Sequence, residues 1–214
     1  MRTTTRLAAW TVGVGAAALA AAAAYATYAS RQAERVDYER VLTLDGVELR
    51  RYPPAVLVET TAATPRGAFS RLFAYISGEN EGRRDLSMTA PVRVDGATVP
   101  MTAPVRVGRG ESERGESVGV TMAFYLPAEY TAETAPEPTD PDVELVAEPA
   151  RTLAVRTFSW RPTEARVAAQ RRRLLDALAD RGVETAGEPF FLGYDAPGTL
   201  PFLRTNEVAV AVAD

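Results

Sequence analysis

Apolar and polar residues alternate from Tyr38 to Leu44 and again from Val47 to Tyr52, with Asp45-Gly46 between the two runs. Alternation sends successive side chains to opposite faces of a strand, and Asp-Gly supplies the positive φ angles of a tight turn, so the spacing predicts a β-hairpin. Pro53-Pro54 breaks the run, and the Val- and Thr-rich stretch Ala55 to Ala62 resumes as a strand. The period then changes. Phe69, Leu72, Phe73 and Ile76 fall at i, i+3, i+4 and i+7, one aromatic-rich face of a short helix that the stretch from Gly78 to Asn80 ends. Met88 to Val94 and Val99 to Val107 read as two strands joined across Asp95-Gly96, and both contain Met-Thr-Ala-Pro-Val-Arg-Val, at 88–94 and 101–107. A repeat of that length makes one hairpin, too short for a solenoid unit. A polar stretch from Gly108 to Ser117 follows as a loop.

The first pattern then recurs. Val118 to Leu126 is a strand, and Pro127 to Pro141, with four prolines, is an extended connection. Val143 to Ala147 and Thr152 to Phe158 are strands, Pro162 to Arg181 is a helix, and Phe190 to Tyr194 and Glu207 to Val212 are strands. Each half is strands, one helix, more strands. The expected fold is α+β: a pseudo-twofold duplicated antiparallel sheet or open distorted barrel carrying two helices.

Ahead of this body lies a different pattern. Leu7 to Ala29 is 23 consecutive residues without a charge, with Trp10 near one end and Tyr25 and Tyr28 near the other. As a helix it reaches roughly 35 Å, enough to cross a bilayer core. We therefore expect residues 1–30 to be an N-terminal transmembrane anchor or a cleaved signal segment, with 31–214 as the folded domain, and the lipid bilayer as a partner of residues 7–29. Arg2 and Arg6 before the segment nearly balance Arg31, Arg35 and Arg40 after it, which leaves the orientation weakly determined, with the external side preferred.

Composition narrows the chemistry. The 214-residue chain has no Cys, no His and no Lys, so all 24 of its basic side chains are arginine. A disulfide, a thiolate metal site, an imidazole general base and a His-ligated iron are all excluded. The net charge of −4 is spread along the chain and argues against nucleic acid as a partner. No phosphate-cradling glycine loop, dinucleotide fingerprint or carboxylate pair at catalytic spacing is present, so no catalytic residue and no metal ligand set is assigned.

Five features occur in one order: Leu49-Arg50-Arg51-Tyr52-Pro53-Pro54, the helix Phe69 to Asn80, the Met-Thr-Ala-Pro-Val pentapeptide, the proline-rich connection, and Leu192-Gly193-Tyr194-Asp195-Ala196-Pro197 with Asn206-Glu207-Val208. Together they resemble the SOUL haem-binding protein family, over roughly Tyr38 to Val212. The resemblance implies a pseudo-twofold α+β barrel similar to the effector-binding domains of some bacterial regulators. It also implies reversible binding of haem or other tetrapyrroles. It maps a hydrophobic groove onto Phe69, Leu72, Phe73 and Ile76, with Met88 at the start of the next strand. Aromatic and aliphatic surface can cover a flat ring while arginine at the rim meets propionates, and Arg66 and Arg71 are the nearest cations. The competing reading is that an aromatic stripe at this spacing is simply core.

On the second helix Val167, Leu174, Leu175 and Leu178 form one stripe, and Arg171 falls near its middle. Either its stem reaches out to the helix edge or pairs with a carboxylate, or it faces a groove and receives an anionic ligand. Met88, Met101, Tyr52, Tyr75, Tyr125 and Tyr194 are the side chains able to reach an iron in place of histidine. The expected function is a membrane-tethered module that buffers or delivers haem. The alternatives are an effector-type domain for another apolar small molecule and an enzyme acting on a tetrapyrrole.

Overall fold

The computed structural model describes residues 34–95, 119–195 and 199–213. The predicted span 7–29, the second copy of the heptapeptide at 101–107 and the loop 108–117 lie outside the described residues. Among those described, no helix is long and apolar enough to cross a membrane.

Eleven strands and two helices are described. The strands are β1 (Glu34–Arg35), β2 (Glu39–Leu44), β3 (Val47–Tyr52), β4 (Ala55–Ala62), β5 (Thr89–Ala90), β6 (Val92–Asp95), β7 (Val120–Tyr125), β8 (Val143–Glu148), β9 (Arg151–Phe158), β10 (Thr185–Gly193) and β11 (Asn206–Val212). The helices are α1 (Pro65–Ile76) and α2 (Glu164–Ala179). Nine strands form one sheet in the order β2-β3-β9-β11-β10-β6-β7-β4-β8, antiparallel throughout, with β2 and β8 as its edges. β1 and β5 pair separately, in parallel.

This order makes the duplication explicit. The unit β4-α1-β6-β7 lies in the sheet as β6-β7-β4, and the unit β9-α2-β10-β11 lies as β10-β11-β9, joined back to back through β6 and β10. The strand before each unit crosses over: β3 adds to β9, and β8 adds to β4. The expected α+β duplicate is present, as an open sheet and not a closed barrel.

Both helices start the same way. Thr64 caps α1 by accepting the Gly67 N–H at 3.1 Å, ahead of Pro65, whose missing N–H costs nothing in a first turn. Thr163 caps α2 by accepting from Arg166 at 3.4 Å. Pro162 thus precedes the cap, and α2 begins two residues later than the proline suggested. β10 begins earlier than expected, at Thr185. Its first residues are exposed and pair with β11 on the far side of a register shift between Ala186 and Phe190, so they lack the apolar alternation of a half-buried strand.

Strand alternation divides the core. On one face of the sheet, α1 buries Ala68, Leu72, Tyr75 and Ile76 against Val56, Val58, Met122 and Phe124. On the same face, α2 buries Leu174 and Leu178 against Ala154, Phe158, Val208 and Val210. The opposite face gathers Tyr52, Leu57, Tyr125, Leu153, Val155, Phe190, Leu192 and Ala209.

Candidate ligand site

The aromatic stripe of α1 is split by the packing. Ala68, with a side chain small enough for close approach, is fully buried, and the buried arc runs Ala68, Leu72, Tyr75, Ile76. Phe69 and Phe73 are rotated to the edge of that arc and stand 38% and 50% exposed. Their rings lie nearly parallel, 13° apart with centroids at 6.0 Å, and Phe69 meets the buried ring of Phe124 edge-on at 5.4 Å. Leu72 and Ile76 support this surface from the core and are not open to a ligand.

The cations are placed differently from one another. Arg66 is exposed in the first turn of α1. Arg71 is already engaged: it pairs with Asp142 at 2.8 Å and Asp140 at 3.9 Å and donates to the Thr61 carbonyl. Arg171 is half-buried on α2, and its Nε is buried with no hydrogen-bond partner among the described residues. Burial lowers its pKa, against the charges of Asp95 on β6 and Glu188 on β10. β6 and β10 lie between the strands covered by α1 and those covered mainly by α2, and their helix-side residues Val92, Val94 and Phe191 are only partly buried. The structure thus joins Phe69, Phe73 and Phe124 directly. It puts Arg171 on the helix of the other unit, and leaves Met88 37% exposed after α1.

The opposite face carries a polar network that joins residues of widely separated sequence motifs. Glu207 accepts two hydrogen bonds from Arg50, at 3.0 and 3.1 Å, one from Thr157 at 3.1 Å and one from Tyr194 at 2.6 Å. Burial opposes the charge on Arg50, and the hydrogen bonds and charge of Glu207 outweigh it, raising the arginine's pKa. Burial pushes Tyr52 and Tyr75 up to about 12 and raises Tyr125 and Tyr194 as well. Each of these four hydroxyls is committed: Tyr75 donates to the Pro136 carbonyl, Tyr194 to Glu207, while Tyr52 accepts from Arg50 and Tyr125 from Arg151. A buried phenol held neutral is a poor iron ligand. Arg50, Tyr52, Tyr194 and Glu207 were legible as members of separate motifs, and their pairing was not.

A family model described as SOUL heme-binding protein matches residues 33–211. The chain is 28% identical over 168 residues to the human protein called Heme-binding protein 2, and 29% identical to its mouse counterpart, each match covering 75% of both chains. Its fold is similar to the crystal structure of the EcmrR C-terminal domain, with a TM-score of 0.52 at 13% identity, covering 83% of this chain and 98% of that one. It is similar too to an uncharacterized conserved protein from Listeria innocua, with a TM-score of 0.51 at 11% identity, covering 85% of this chain and 94% of that one. At such identities the likeness is one of fold.

Proposed function

This chain belongs to the SOUL heme-binding protein family, and from that premise we propose that it binds heme or a related tetrapyrrole reversibly on the outer surface of α1, as a module tethered to a membrane by residues 7–29. The observation that carries the site is the exposed, nearly parallel pair Phe69 and Phe73 resting on buried Phe124. Large aromatic area left in water beside the buried arc of the helix is stabilised by a flat apolar ring.

The residues present fit such a group in part. Phe69 and Phe73 would cover the ring, and Arg66 and Arg171 would meet its two propionates, since neither is held by an ion pair among the described residues. With no histidine in the chain and the buried tyrosines committed elsewhere, the iron is left to the thioether of Met88 or to water. When bound, heme brings an apolar disc, two carboxylates and an open iron coordination position. Holding it without imidazole makes the complex exchangeable, which suits buffering or delivery.

The test is a heme titration of the full chain in detergent, followed through the Soret band in ferric and ferrous states. A saturable shift is expected, and a flat titration in both states overturns the proposal. The engagement of Arg71 by Asp140 and Asp142 favours a second reading, in which the same surface takes a less anionic apolar molecule. Mass spectrometry of a copurifying ligand separates the two.

A further inference from the structure

We propose that the end of the domain carrying Trp160 and the turn after Leu200 docks onto the surface of an anionic lipid bilayer. Four large apolar side chains are exposed here: Trp160 at 55%, Phe202 at 59%, Leu200 at 40% and Leu203 at 38%. They are held rigidly. Trp160 has φ of +79°, a left-handed conformation that a bulky side chain rarely adopts. Its N–H donates to the Pro201 carbonyl at 2.9 Å, and its own carbonyl accepts from the Asn206 side-chain amide at 2.8 Å. Asn206 is itself buried, and Pro201–Leu203 is a 3-10 turn closed by the Leu203 N–H on the Leu200 carbonyl. A left-handed backbone pinned from two sides fixes where the side chain leaves the main chain, and the indole stands in water.

The chemistry of the patch is interfacial. Indole with aliphatic neighbours and arginine beside it matches the zone between headgroups and acyl chains, where an amphipathic ring buries its body and keeps its N–H wet. Arg161 is exposed next to Trp160, and Arg166 donates to the Arg161 carbonyl at 2.7 Å, which sets two cations beside the apolar cluster. The position is also right. The chain reaches the domain at Glu34–Arg35, and the Arg35 guanidinium lies 5.3 Å from the Tyr194 ring centroid. Arg35, Tyr194 and Thr205 line one cavity of about 250 Å³, and Thr205 is two residues beyond Leu203. Only residues 30–33 separate the uncharged segment from Glu34, a reach of about 15 Å. The inference rests on the tether reading for this proximity: a bilayer holding residues 7–29 has the patch within range.

Trp160 can report on itself. In a Trp10→Phe variant of the full chain it is the sole tryptophan. Reconstituted into phosphatidylcholine–phosphatidylglycerol vesicles with brominated acyl chains, this variant is expected to show blue-shifted Trp160 emission that the bromines quench. Adding Phe202→Ser is expected to lower the docked-to-free ratio about tenfold, the worth of one buried phenylalanine. If the chain floats with the vesicles while Trp160 stays unquenched at its aqueous wavelength, docking is overturned and the tether stands. If the chain does not float and Trp160 does not respond, both fail. A blue shift without quenching means that protein covers the indole, and it overturns the proposal.

Discussion

The two units of the sheet share a plan on the inside and differ on the outside. α1 and α2 each start at a threonine cap, each lie on the same face of the sheet, α1 over β4 and β7 and α2 over β9, β10 and β11, and each bury one leucine completely, Leu72 and Leu174. Outward, α1 presents Phe69 and Phe73, whereas α2 presents Arg172 and Arg173 and holds Arg171 half-buried at its margin. On the far face the units differ again. Register pairs Thr157 with Glu207 in the second unit, where Arg50 holds the carboxylate, and Thr61 with Thr121, two hydroxyls hydrogen-bonded to each other at 2.8 Å, at the matching row of the first. The inward residues answer to one geometric demand, packing on a sheet, so duplication preserves them. The outward ones answer to none, so they were free to diverge into an exposed aromatic pair on one helix and a charged face on the other.

The comparison is broken most severely at Glu207. Glu207→Ala leaves the Arg50 guanidinium buried with Glu48 as its one carboxylate partner among the described residues, and should cost about 3–5 kcal/mol in urea denaturation. Glu59, on the same face in the first unit, makes no ion pair among the described residues, and its replacement should cost far less. The equality of the inner faces is tested by Leu72→Ala and Leu174→Ala, each expected to lose about 2–5 kcal/mol through the cavity left behind. A large loss at one and none at the other would end the claim that both helices are clamped alike.

The outer faces are tested by ligand affinity. Phe69→Ala with Phe73→Ala should weaken heme binding about tenfold, roughly 1.4 kcal/mol, while Leu175→Ala on the exposed side of α2 leaves it unchanged. Arg171→Leu should weaken it by a few-fold, about 1 kcal/mol for a charge-assisted contact, without lowering stability, because the guanidinium loses no ion pair. Unchanged affinity in that folded variant removes Arg171 from the site. The smallest effect is a pH slope. Burial raises the Glu59 pKa above its usual 4.5, so its ionisation opposes folding: its contribution is most favourable below 4.5 and is lost as pH rises through the raised folded value. Stability measured against pH should therefore fall less across that window in Glu59→Gln than in the parent chain.

The hairpin at Asp45-Gly46, the two helices, the strand content of each half and the family were all legible in the sequence, because each depends on periodicity, turn chemistry or motif order within a short stretch. Phe69, Leu72, Phe73 and Ile76 were likewise readable as sharing a helix face. Which of the four a ligand can touch was not. The apolar arc of α1 is wider than its contact with the sheet, and the choice fell to Ala68, whose small side chain lets the helix settle with Leu72, Tyr75 and Ile76 inward and the two phenylalanines at the margin.

Arg50 and Glu207 stand 157 residues apart, and neither position announces the other. Trp160 reads along the chain as one more apolar residue near a proline, and its backbone bonds to Pro201 and Asn206 are made across the fold, 41 and 46 residues away. The sequence by itself determined the elements and their duplicated order, since backbone geometry fixes which neighbours lie on one side of a strand or helix. The tertiary structure alone decided which of those sides meets water, because that depends on volumes and partners brought in from distant parts of the chain.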